Sequence, residues 1–144
     1  MPQLLSSGLY VVRNAAYADR VADLSGGQPE PNTPIIGWSY HKGENQQWEL
    51  QPSPGGSNTY ALRSKISSGV TYFALSDVRI FPPLIAGQPD YVMWSIEPVG
   101  DGKFRLHFPY VNGVATLRSE KEGTQLTLDP WEGEPHQMWR IEAV

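Results

Sequence analysis

The 144-residue chain has no cysteine, which excludes disulfides and thiolate metal sites. It has only three histidines, His41, His107 and His136, and no two of them show the i, i+4 spacing of a helical zinc motif. Neither a metal nor an organic cofactor is expected. There is no Gly-x-Gly-x-x-Gly or Walker sequence, and "GWSYH" (37–41) lacks the closing glycine of a nucleophile elbow. Two close acid pairs occur, Glu120 with Glu122 and Glu132 with Glu134, both in turn-rich text. A glycosidase needs two carboxyls across one cleft, and pairs of this kind are more simply solubilising charge. No motif supports catalysis, so a non-enzymatic protein is expected.

Charge also speaks against polyanionic partners. The net charge is -4 and both signs are scattered. The nearest approaches to a basic patch, Arg63 with Lys65 and Arg118 with Lys121, are short, and the second has acids beside it. Nucleic acid and anionic membrane surfaces are therefore not expected partners. The opening "MPQLLSSGLYVV" lacks a basic leader region and any apolar run long enough for a span, so the expectation is a cytoplasmic protein without membrane insertion.

What is abundant is punctuation. Fourteen glycines and 13 prolines leave little room for long helices. Between them lie short runs of Val, Ile, Leu, Tyr, Phe and Trp, which is an all-β pattern. Three stretches end alike: "NQQWELQP" (45–52), "YVMWSIEP" (91–98) and "HQMWRIEA" (136–143). Trp48, Trp94 and Trp139 are thus 46 and 45 residues apart, each with an aliphatic residue two places on, Leu50, Ile96 or Ile141. Period two puts each pair on one strand face and points to one buried indole per repeat.

Each repeat also opens with an alternating strand: "GLYVVRN" (8–14), "NTYALRS" (58–64), "GKFRLHF" (102–108). Second strands follow at "VADLS" (21–25), "YFALS" (72–76) and "VATLR" (114–118), and third strands at "PIIGW" (34–38), "PPLIA" (82–86) and "TQLTL" (124–128). The expectation is one domain over 1–144, with repeats of four strands at about 5–52, 53–99 and 100–144. Three such units are too few for a propeller, which needs at least about four blades.

The Gln-x-Trp copies, with "DLSGG" (23–27) and "GENQ" (43–46), resemble the repeats of ricin B-type lectins along essentially the whole chain. The first repeat looks most like the small cytoplasmic ricin-B-like lectins of mushrooms. That resemblance implies a β-trefoil, three four-stranded units about a pseudo-threefold axis. It also implies binding of galactose- or N-acetylgalactosamine-containing glycans and a role in defence.

The repeats differ where a sugar would sit. Asp23 matches Ala74 and Thr116, and Asn45 matches Tyr91 and His136, so only the first repeat has both a carboxylate and an amide. Together these can accept and donate to adjacent hydroxyls. By the resemblance, Asp23 is the principal hydroxyl acceptor, Asn45 the second polar contact and Trp38 the platform for the sugar's C–H face. Gln46 orients Asp23 or fixes the loop, and His41 and the Gly26–Gly27 turn are rim contacts. Taken singly, each has a plainer reading: Asp23 as a turn residue, Trp38 as core, Asn45 as a cap at a strand entry. In the third repeat, "LDPWEGEP" (128–135) is either a degenerate second site or a turn with an exposed Trp131; counting back from Trp139 places Asp129 opposite Trp38.

A second resemblance runs to clitocypin-type β-trefoil protease inhibitors, through "EPNTP" (30–34) and "LIAGQPDY" (84–91). It implies an exposed loop entering a protease cleft. For trypsin-like targets the expected apex residues are Arg20 or Lys65, and for cysteine proteases the loop "ISSGV" (66–70). Sugar sites are shallow and weak singly, so a homodimer is the expected route to avidity.

Overall fold

The computed structural model describes residues 5–54 and 58–144. Residues 1–4, part of the stretch inspected for a leader, and 55–57, within the second repeat, lie outside the described residues. In chain order the strands are β1 (Gly8–Asn14), β2 (Arg20–Leu24), β3 (Thr33–Ser39), β4 (Trp48–Pro52), β5 (Thr59–Ser64) and β6 (Tyr72–Leu75). Then come β7 (Ile85–Gln88), β8 (Trp94–Gly100), β9 (Lys103–Phe108), β10 (Gly113–Thr116), β11 (Thr127–Asp129) and β12 (Trp139–Ala143).

Six of these strands close on themselves. Antiparallel pairings run β1–β4, β4–β5, β5–β8, β8–β9, β9–β12 and β12–β1, which makes a barrel with no free edge. The other six form three hairpins, β2–β3, β6–β7 and β10–β11, that meet over one end of the barrel. They are joined there by β3–β7 pairing and by bridges at Ile36–Gln125 and Leu84–Thr127. The fold is a β-trefoil.

The three repeated tryptophans fill the core with no solvent exposure. Each indole N–H finds the carbonyl of an equivalent hairpin residue: Trp48 to Ala22 (3.1 Å), Trp94 to Phe73 (2.8 Å) and Trp139 to Ala115 (3.0 Å). A buried indole requires such an acceptor, and the repeat supplies it three times. Phe73 bridges Trp48 and Trp94 edge-on, with centroids 5.2 and 5.3 Å away.

Just before two of the tryptophans, Glu44–Gln46 and Pro135–Gln137 form single 3-10 turns. The turn drives Gln46 and Gln137 inward, where both are buried. The third strands of the second and third repeats begin later than expected, at Ile85 and Thr127. Their leading residues bond to neighbouring hairpins around the axis instead, as in Leu126 N–H to Ile35 O at 2.9 Å.

Candidate functional site

Hairpin β2–β3 has two faces set by strand alternation. Ala22, Leu24 and Ile35 point into the core. The other face carries Asp23 opposite Ile36 and, two residues on, Trp38 opposite Val21. Trp38 is 38 % exposed while Asp23 is only 3 % exposed, so the ring stands at a rim and the carboxylate at a floor.

The floor is held from below by the turn at Glu44–Gln46. Asn45 Nδ2 donates to Asp23 Oδ1 (3.0 Å) and to Leu24 O (3.1 Å). Gln46 Nε2 donates to Asp23 Oδ2 (2.9 Å) and Ser39 O (2.7 Å), while Gln46 Oε1 accepts from His41 N–H (2.8 Å). Each Asp23 oxygen thus accepts one amide N–H and retains one lone-pair site. Burial raises the Asp23 pKa, against the Gln46 hydrogen bond, the His41 charge and the Asn45 hydrogen bond, which lower it.

The orientation of Asn45 follows from its partners. Both face it with acceptors, so its NH₂ must point at them. The amide had been expected both to donate and to accept toward a ligand. Both N–H groups are occupied, and among the described residues nothing donates to the acceptor Oδ1. Gly43 makes room for it: a Cβ there would lie 2.6 Å from Asn45 Oδ1 and 2.4 Å from the His41 ring.

Asp23, Trp38, His41, Asn45 and Gly26 line one cleft of about 620 Å³, together with Ser25, Gly27, Ile36 and Glu44. Gln46 is not in the lining; it is fully buried behind Asp23. The remaining wall is Ile66, Ser67 and Ser68, from the loop after β5 in the second repeat. Sequence reasoning missed this wall for the first repeat, having placed "ISSGV" only as a protease loop. The link is the β4–β5 register, which continues into Lys65 N–H to Gln47 O (3.0 Å) and seats the next residues beside Asn45. Gly26 and Gly27, at φ 62 and 64, form the turn at the mouth, a conformation natural to glycine.

The equivalent places elsewhere differ. Strand register equates Asp23 with Ala74 and Thr116, and Trp38 with Gln88 and Asp129. Asp129 is bound by Arg118 and by Thr127 Oγ1 (2.5 Å). Trp131 is half-buried with the Arg105 guanidinium 5.0 Å above its ring, rather than a bare exposed turn residue. Gln137 keeps the loop-stapling role, donating to Pro130 O (2.8 Å) and accepting from Glu132 N–H (2.8 Å), with no carboxylate to hold. Among the described residues, no group of three or more His, Cys, Asp or Glu side chains could hold a metal ion.

The expected apex cations are both engaged. Arg20 opens β2 and donates to Glu120 O (2.6 Å) and Ser39 Oγ (3.3 Å). Lys65 pairs with Glu44 at 3.5 Å.

A trefoil whose first hairpin carries this cleft defines a class, and comparison with known proteins agrees. A sequence model described as "Ricin-type beta-trefoil lectin domain-like" matches residues 3–77. The chain is similar to the Macrolepiota procera ricin B-like lectin, solved in complex with lactose, at 30% identity over 99% of both chains with a TM-score of 0.80. It also resembles the Rhizoctonia solani agglutinin (23% identity, 100% of both chains, TM-score 0.87) and the designed threefold protein ThreeFoil (19% identity, 95% of this chain and 99% of that one, TM-score 0.85). The chain belongs to the ricin-type β-trefoil lectin-like family.

Proposed function

We propose that this protein is a lectin that binds galactose- or N-acetylgalactosamine-type sugars in the cleft of its first repeat, without catalysis. The observation that carries the reading is the convergence of Asp23, Asn45 and Trp38. Two carboxylate oxygens with one open site each and an amide oxygen lie at the floor, and an indole stands at the rim. Adjacent ring hydroxyls donate to the floor, while the apolar C–H face covers Trp38. Ser67 and Ser68 add hydroxyls that donate or accept at the far wall. The lactose bound by the Macrolepiota procera relative supports the same sugar class.

The other two repeats lack the acid–amide–indole set, so one site per chain is proposed. A two-fold dimer would then present two sites and raise avidity toward a multivalent surface. A glycan array, followed by calorimetry with lactose and N-acetylgalactosamine, tests the reading. Wild type should bind and the Asp23→Ala plus Asn45→Ala double variant should not; full binding by a folded double variant would remove the site assignment.

A further inference from the structure

The loop between β6 and β7 plays no part in the cleft, yet it carries the highest exposure of apolar side chains in its neighbourhood. Val78 is 58 % exposed, Ile80 52 % and Phe81 84 %, and Arg79 between them is exposed as well. Among the described residues, no hydrogen bond or ion pair engages the Arg79 guanidinium. Three large apolar side chains exposed within four consecutive residues mark a contact surface, and the solvated Arg79 guanidinium gives that surface its one positive charge.

The segment is nonetheless held in shape. Its ends are tied by Ser76 N–H to Leu84 O at 2.8 Å. Asn32, from the neighbouring hairpin, accepts at Oδ1 from Asp77 N–H (2.7 Å), Ser76 Oγ (3.3 Å) and Gln88 Nε2 (2.9 Å), and donates from Nδ2 to Asp77 Oδ2 (3.2 Å). Asn32 itself sits at φ 70, where asparagine is among the best-tolerated side chains. Val78 N–H bonds Ser76 Oγ (3.1 Å), and Ile80 N–H bonds Val78 O (3.1 Å), closing a three-residue turn with Arg79 at its apex. Pro82 and Pro83 restrict the descending arm.

We propose that Val78-Arg79-Ile80-Phe81 is a docking loop for a trypsin-like serine protease, with Arg79 entering the acidic specificity pocket and blocking it. The charge match selects this partner: such a pocket has a carboxylate at its base that recognises one Arg or Lys between less specific neighbours. Val78, Ile80 and Phe81 would lose their water contact against the enzyme on either side of the pocket. The Asn32 tether lowers the ordering cost of binding, which is how a short loop reaches high affinity. The proposal does not depend on the sugar reading, because the loop and the cleft share no residue.

The test is the rate at which trypsin hydrolyses a chromogenic arginine anilide as the intact protein is added. Competitive inhibition at or below about 10 µM is expected. Arg79→Ala should weaken it about 100-fold or more, and Arg79→Lys should largely keep it. Arg79→Phe should transfer inhibition from trypsin to chymotrypsin. Asn32→Gly keeps the backbone conformation but removes the tether, so weaker inhibition and faster cleavage after Arg79 are expected by mass spectrometry. Unchanged circular dichroism and thermal melts show that each variant is folded. The proposal is overturned by no inhibition, by inhibition indifferent to residue 79, or by cleavage of wild type as fast as a free peptide of the same sequence. It is equally overturned if Phe81→Ser abolishes self-association of a protein that does not inhibit, since the loop then belongs to a second copy.

Discussion

Replacing Gln46 by alanine separates the two roles of this side chain, because Gln137 provides an internal control. Gln46 makes three hydrogen bonds, to the Asp23 carboxylate, Ser39 O and the His41 N–H, and is fully buried. A neutral bond contributes about 1 kcal/mol and one to a charged group about 1.5–3 kcal/mol. Water reaching the exposed His41 end offsets part of this, leaving a loss of about 3 kcal/mol. Gln137 makes two good neutral bonds and a long one to Thr116 Oγ1 (3.4 Å), so Gln137→Ala should lose about 2 kcal/mol. At about 2–4 °C per kcal/mol for a chain near this size, the Tm should fall about 6–12 °C and about 4–8 °C respectively. Domains of ordinary stability remain folded at 25 °C after such losses. Calorimetry then distinguishes them: Gln46→Ala frees Asp23 to turn and should weaken lactose binding at least about tenfold, while Gln137→Ala should change it less than about twofold. Equal effects of the two variants on lactose, or none from Gln46→Ala, would refute the claim that Gln46 positions the acid.

Three further outcomes follow from the same geometry. Because burial raises the Asp23 pKa, lactose affinity should fall with decreasing pH above the range where an exposed aspartate titrates, about 3.9. The fold responds with the opposite sign: this group's stabilising contribution is present below the unfolded value and lost as pH rises through the folded one. Titration calorimetry and denaturant melts across that range check both, and affinity flat down to ordinary aspartate pKa contradicts the first. Gly43→Ala would place a methyl against the His41 ring and Asn45 Oδ1, so it should lower sugar affinity while moving the Tm only slightly; unaltered lactose binding would show that the loop adjusts freely. Trp94→Ala removes a fully buried indole and its bond to Phe73 O, and should cost about 3–5 kcal/mol in urea unfolding, with a loss below about 1 kcal/mol contradicting the core assignment.

The threefold framework was legible because each repeat announces itself with a large residue that has one place to go. Trp48, Trp94 and Trp139 need burial and an acceptor, and their spacing repeats the architecture directly. Strand ends were less legible, since segments such as 124–126 bond across the pseudo-axis to Ile35 and Ile36 rather than to their own hairpin. The acid, amide and indole of the cleft were reached by comparing the repeats and by the family resemblance, and alternation along β2 and β3 is what puts Asp23 and Trp38 on one face. Its far wall could not be reached this way, because residues 66–68 belong to an ordinary Ser-Gly loop whose position depends on register with β4. Arg79 escaped notice for a related reason: its loop has no periodicity, and the Asn32 tether comes from 45 residues away.

The cleft draws its acid and indole from one repeat and its far wall from the next. Residues 66–68 touch none of the bonds that root Asp23, so their bulk and polarity can drift during divergence while the anchor persists. On the proposed sugar reading, related chains can therefore differ in the saccharide branch they tolerate while keeping the same hold on a hexose.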